Sequence, residues 1–159
     1  MSDSTSPAPG ERSPAAEDAM HTTLEMSFED AVPFVQLEHE LAEFETVQVT
    51  RVDKMVEGML GMAVERTALV VVCHPEVARD ALAIDQSLAG MLPCTTAVYE
   101  TADGTVHVHH ISATKAIRDL GCAPADAEGD LERLVGLTGD RMTEVWENIE
   151  RHADAAGEV

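Results

Sequence analysis

Apolar positions along the chain change period several times, and each change marks an element. Thr67 to Cys73 (TALVVVC) is a short run rich in β-branched residues, which predicts a buried strand. Pro75 follows at once, and proline in the first helical position loses no hydrogen bond because that amide has no intrahelical acceptor. A helix is therefore predicted from Pro75, with Val77, Ala78, Ala81, Leu82 and Leu88 at helical spacing and Gly90 and Pro93 ending it. Cys94 to Glu100 (CTTAVYE) reads as a second strand, Asp103-Gly104 as a tight turn, and Thr105 to Ile111 (TVHVHHI) as a third strand.

Upstream, His21 to Met26 alternates weakly, as an opening strand would. Ser27 and Asp30 approximate a capping box for a helix to about Glu43, with Phe34, Leu37, Leu41 and Phe44 as its inner stripe. Pro33 lies beyond the first turn and predicts a late start or a bend. Thr46 to Val52 alternates as a half-exposed strand with Val47 and Val49 on one face. Asp53 to Met62 reads as a short helix whose Met55, Val56, Met59 and Leu60 pack inward as adaptable core filler. Downstream, residues 112–122 suit a short helix and residues 123–130 a linker rich in Pro, Gly, Ala and Asp.

Residues 131–152 then carry Leu131, Val135, Thr138, Met142, Val145 and Ile149 at alternating spacings of four and three, with Leu134 and Trp146 beside them. That stripe requires burial, either on the domain's own sheet or against a second copy or another protein. Gly136 and Gly139 weaken a continuous helix. Residues 1–19 have no periodic apolar pattern and read as a disordered acidic tail. The fold class expected is a single α+β domain over residues 20–122, with an antiparallel or mixed sheet and helices on one face, followed by the amphipathic C-terminal helix.

Cys73, Pro75, Glu76 and Ala78, followed by Leu92, Pro93, Cys94, Val98, Tyr99 and Glu100, form a pattern at fixed offsets that resembles the family known as domain of unknown function 302. The resemblance spans about His21 to Ser112. It departs at His74, where the family usually has asparagine, at Gln86, where proline is frequent, and near Phe44, where a glycine usually precedes the second strand. The resemblance implies a small, often dimeric α+β domain and carries no activity with it.

Composition narrows the setting. The chain has 159 residues, of which 45% are hydrophobic, which fits one domain with a real core. No run approaches the roughly 20 apolar residues that span a bilayer. The N-terminus lacks a basic start followed by an apolar stretch, so a cytoplasmic protein without a secretion signal is expected. Thirty acidic residues against 10 basic ones give a net charge of −20, spread along the chain, and only Lys54 and Lys115 are lysines. Such a surface repels nucleic acid and anionic membranes. It suits a halophile's cytoplasm, where molar salt shortens the Debye length to about 3 Å and screens self-repulsion; a concentrated patch for a basic partner is the rival reading.

Two groups of residues could carry chemistry. If Asp103-Gly104 is a two-residue turn, Glu100 faces His107 and Val98 faces His109. Glu100, His107 and His109 then share one face, a donor set suited to a divalent metal ion, while Ala97, Tyr99, Val106 and Val108 fill the core face and His110 points toward the core. The second group is Cys73, His74 and Cys94. There is no CxxC spacing. Cys73 precedes a helix N-terminus whose partial charge, with His74, could stabilise a thiolate; if its strand and that of Cys94 were parallel, the two cysteines would lie roughly 20 Å apart. Three functions follow as alternatives: a binding module for a soft or divalent metal, a thiol-reactive species or a small ligand; a homodimeric structural or regulatory module; and a cysteine-dependent redox or nucleophilic enzyme.

Overall fold

Ser27 sets the phase of the first helix. In the computed structural model, which describes residues 20–156, strand β1 (Met20–Leu24) runs into Ser27, whose hydroxyl accepts the Asp30 amide and caps helix α1 (Phe28–Leu41). The tail expected over residues 1–19 lies outside the described residues. Because α1 starts at Phe28, Pro33 sits inside it, and the buried side runs through Phe28, Ala31, Val35, Glu38 and His39 to Ala42. Leu37 and Leu41, expected on the inner stripe, are 51% and 55% exposed. At 3.6 residues per turn Leu37 stands half a turn round from Phe28, so burying the large ring turns the two leucines outward.

Strands β2 (Glu45–Arg51), β3 (Thr67–Cys73), β4 (Cys94–Glu100) and β5 (Val106–His110) complete a five-stranded sheet in the order β1-β5-β4-β3-β2. Every pairing is antiparallel. Ala68, Val70 and Val72, Cys94, Thr96 and Val98, and Val106, Val108 and His110 are buried on one face. Leu69, Val71, Ala97, Tyr99, His107 and His109 alternate with them on the other face and are only half-buried. A bulge between Thr46 and Gln48 breaks the expected alternation of β2, and Val47 is left 58% exposed.

Helix α5 (Glu128–Ala156) is continuous through Gly136 and Gly139. Its stripe of Leu131, Leu134, Val135, Thr138, Met142, Val145, Trp146 and Ile149 is buried within the chain. The later part packs with α1 on the sheet. The earlier part packs with helix α3 (Pro75–Ile84), helix α4 (Ala113–Leu120) and the 3₁₀ turn at Gln86–Met91. Glu38 Oε1 lies 2.7 Å from His152 Nδ1 and ties α1 to α5. The linker expected at 123–130 is instead a 3₁₀ turn at Ala125–Ala127 and the first residues of α5.

Helix α2 (Val52–Leu60) departs from the sequence reading: Met55, Met59 and Leu60, expected inside, are 49%, 78% and 68% exposed. It follows the edge strand β2 and meets the sheet chiefly at β3. Its buried anchor is Asp53, 2.7 Å from Arg51 Nη2, and the Arg51 guanidinium lies 4.7 Å from the centre of the Phe28 ring. No helix among the described residues is long and apolar enough to cross a membrane.

Candidate functional site

The β4–β5 turn has three residues between Thr101 and Thr105, one more than the sequence reading assumes. Thr101 N–H donates to Thr105 O, Gly104 N–H donates to Thr101 O, and Gly104 takes φ 84°, a left-handed conformation that glycine accepts without strain. The extra residue slips the register by one, which exchanges faces along β4. Tyr99 opposes His107, Ala97 opposes His109, and Glu100 opposes Val106. Glu100 is therefore separated from the histidines and lies 4.0 Å from Arg66 Nε, while Ala97 and Tyr99 join the histidine face and Val98 takes the core position.

In place of Glu100, strand β1 brings His21, which opposes His109. His21 Nε2 lies 2.9 Å from His107 Nδ1, with the ring centres 5.1 Å apart and the planes 23° apart, and His109 meets His21 edge-on at 5.6 Å. The Tyr99 ring lies parallel to His107 at 5.0 Å. Among the described residues, no three His, Cys, Asp or Glu side chains surround one point as a finished metal site. The sequence reading missed His21 because nothing in the sequence says that β1 pairs with β5.

The cysteine end is also rearranged by topology. Antiparallel pairing sets Val72 opposite Cys94, so Cys73 and Cys94 are one register step apart and alternate to opposite faces. The long separation expected for parallel strands does not arise. Cys94 is buried, and desolvation, with a smaller contribution from Cys73, pushes its thiol up to about 11. Burial also pushes the Cys73 thiol above its ordinary value, the wrong direction for a nucleophile. Cys73, Cys94 and Cys122 are all unpaired.

His74 has a different fate. It caps α3, and its Nδ1 accepts the Glu76 amide at 3.3 Å, which leaves the proton on Nε2. The residue is 3% exposed, and Nε2 has no hydrogen-bond partner. Burial first, and then the Arg141 cation, hold its pKa below the ordinary value against the opposing pull of Glu76, Glu43 and Glu144. His74 lines a cleft of about 690 Å³ with Glu40, Glu43, Phe44, Glu45, Thr46, Pro75 and Glu76. Glu76 is engaged by Arg141 at 2.7 Å, and Glu40 by Thr46 at 2.7 Å and Gln36 at 3.1 Å. Glu43 and Glu45 have no ion-pair partner among the described residues. Glu43 also holds φ 67°, a conformation that costs a residue with a side chain about 1–3 kcal/mol, beside the position where the resemblance expects glycine.

Behind this cleft runs a buried polar chain. His39 Nδ1 donates to Val35 O at 2.7 Å, its Nε2 accepts the Thr96 hydroxyl at 3.0 Å, and Thr96 Oγ1 lies 3.3 Å from His110 Nδ1. The Phe44 ring meets His39 and His74 edge-on at 5.7 and 5.1 Å, joining chain and cleft. Burial pushes His39 below its ordinary pKa and His110 down to about 4. His110 Nε2 and Trp146 Nε1 are buried without protein partners, their rings 6.5 Å apart. None of the glutamates of the cleft was legible as a site, because they come from two separate helix ends and a strand start.

The comparisons with known proteins agree with this architecture. The family described as "Domain of unknown function DUF302" matches residues 20–149. The crystal structure of an uncharacterized conserved protein of that family from Bacillus stearothermophilus is similar, with a TM-score of 0.68 at 14% identity, over 80% of this chain and 94% of that one. At that identity the likeness concerns the fold. No curated protein matches the chain.

Proposed function

The chain belongs to the DUF302 family, and from that premise we propose that it is a binding module whose ligand site is the acidic cleft around His74. The observation that carries this reading is the His74 imidazole, almost wholly buried in the cleft wall with an Nε2–H that no protein group satisfies. A buried donor without a partner is costly, and an acceptor arriving with a ligand removes that cost. Glu43 and Glu45 add negative charge beside it. The ligand class is a small organic cation that carries a hydrogen-bond acceptor, an amino alcohol being the simplest probe. Three unpaired thiols suit the reducing cytoplasm in which we place the protein.

Calorimetric titration of the full chain with ethanolamine, ethylamine and sulfate tests this. Ethanolamine is expected to bind more tightly than ethylamine, and sulfate not at all. His74→Asn retains a helix-capping side chain while removing the imidazole, and weakens ethanolamine about tenfold. Equal binding of the two amines, or unchanged affinity in His74→Asn, rejects the reading.

A second reading, self-association as a homodimer, is favoured by the exposed Met55, Met59 and Leu60 on α2. Analytical ultracentrifugation decides it: a monomer at all concentrations, or a dimer unchanged by Met59→Glu, removes that surface from consideration. The raised Cys73 and Cys94 thiols count against a cysteine nucleophile.

A further inference from the structure

The open face of the sheet holds a second arrangement, independent of the cleft. His107 is oriented from behind. The Thr101 hydroxyl has one proton, which Asp103 Oδ1 at 2.6 Å and Thr105 O at 3.2 Å both accept, so its lone pair is left to accept the His107 Nε2 proton at 3.3 Å. Asp103 is fixed in turn by the Thr105 amide at 3.0 Å. The parallel Tyr99 ring holds the imidazole plane. His107 Nδ1 therefore presents a lone pair, and it presents it to His21 Nε2, 2.9 Å away. An outer partner that accepts the second ring N–H fixes tautomer and ring direction, as it does for metal-ligating histidines.

We propose that His21 and His107 form a clamp for one borderline divalent transition-metal ion, such as Zn²⁺ or Cu²⁺, with His109 or water completing the coordination. Two imidazole nitrogens on one ion at about 2.0–2.1 Å, separated by 90–110°, stand about 2.9–3.4 Å apart, so the ion needs no movement of the backbone. Imidazole donors select this class of metal over Mg²⁺ or Ca²⁺, which prefer oxygen. The metal replaces the proton that His21 shares with His107; that proton moves to the other ring nitrogen of His21, and both ligands stay neutral. His109 stands directly opposite His21 across the β1–β5 ladder and is the nearest third donor. Glu100 takes no part.

The test is titration of the untagged full chain with ZnCl₂ by calorimetry, in a Cys122→Ser background so that the exposed thiol does not compete. One ion per chain is expected. His107→Ala or His21→Gln abolishes that step, and Thr101→Val, which leaves both ligands in place, weakens it about 10–100-fold. Glu100→Gln leaves the affinity unchanged. Histidine ring ¹⁵N shifts of His21 and His107 that move together with added Zn²⁺ identify the ligands even if a variant fails to fold. No binding to the parent chain, or binding that survives both His21→Gln and His107→Ala, overturns the proposal and assigns any bound zinc to surface carboxylates.

Discussion

Thr96 Oγ1 stands between His39 Nε2 at 3.0 Å and His110 Nδ1 at 3.3 Å, and so joins α1 to strands β4 and β5 through one hydroxyl. The proton directions follow from its ends. Val35 O can only accept, so His39 carries its proton on Nδ1; Thr96 then donates to His39 and accepts from His110 Nδ1–H, which Thr95 O also accepts at 3.2 Å. His39 and His110 are therefore Nδ1–H tautomers, whereas His74 is the Nε2–H tautomer. Long-range ¹H–¹⁵N spectra of the rings check this. Thr96→Val keeps the shape but leaves His39 Nε2 without a donor and His110 Nδ1–H with Thr95 O alone, and is expected to cost about 1–3 kcal/mol by denaturant unfolding. Thr95→Val, on the exposed side, stays within about 0.5 kcal/mol.

Acid should weaken the fold in two stages. His39 and His74 are held below their ordinary pKa mainly by burial. Below about pH 6.5 the unfolded chain takes up protons that the native state refuses, so stability present above that pH is lost as the pH falls. The slope is at most about 1.4 kcal/mol per pH unit for each such group. Asp53 acts in a lower window: its hydrogen bonds from Arg51 lower its pKa from 3.8 to about 2, so its contribution is present above pH 3.8 and disappears toward pH 2. Urea midpoints at closely spaced pH values trace both stages, and a midpoint constant from pH 7.5 to 5 rejects the first.

Thiol reactivity should follow exposure alone. Cys122 is exposed, Cys73 half-buried and Cys94 buried, and both of the latter have raised pKa values. Iodoacetamide at pH 7.5 should label Cys122 first, Cys73 slowly and Cys94 only on unfolding. Mass-spectrometric labelling kinetics in which Cys73 outruns Cys122 would restore the nucleophile reading.

The C-terminal helix should be indispensable to the core. Ile149 is fully buried against the sheet layer, and Ile149→Ala is expected to cost about 2–5 kcal/mol. Glu150→Ala, exposed one residue on, should be near neutral. Equal effects of the two on the melting temperature would mean that the helix docks elsewhere in solution.

Salt should stabilise the chain. A net charge of −20 opposes the compact state at low ionic strength, and added salt screens that repulsion. The melting temperature is expected to rise from about 0.1 M to several molar KCl. A flat or falling curve would refute the high-salt reading of the composition and favour a basic partner.

Local chemistry determined much of this protein before any tertiary contact. The run Thr67–Cys73, the Pro75 start, the strand Cys94–Glu100, the Ser27 cap and the eight-residue stripe of α5 all read correctly, because each rests on interactions within a few residues or on a period that burial must satisfy. What only the tertiary structure decided depends on small counts and long separations. One extra turn residue moved Glu100 away from the histidines. Burying Phe28 turned Leu37 and Leu41 outward, and an edge position left the methionines of α2 in solvent. Antiparallel pairing brought Cys73 beside Cys94, β1–β5 pairing brought His21 to His107, and the α1–β2 turn set Glu43 against His74. Periodicity assigns a residue to a face, but which faces meet is settled by how the whole chain buries its largest side chains at once.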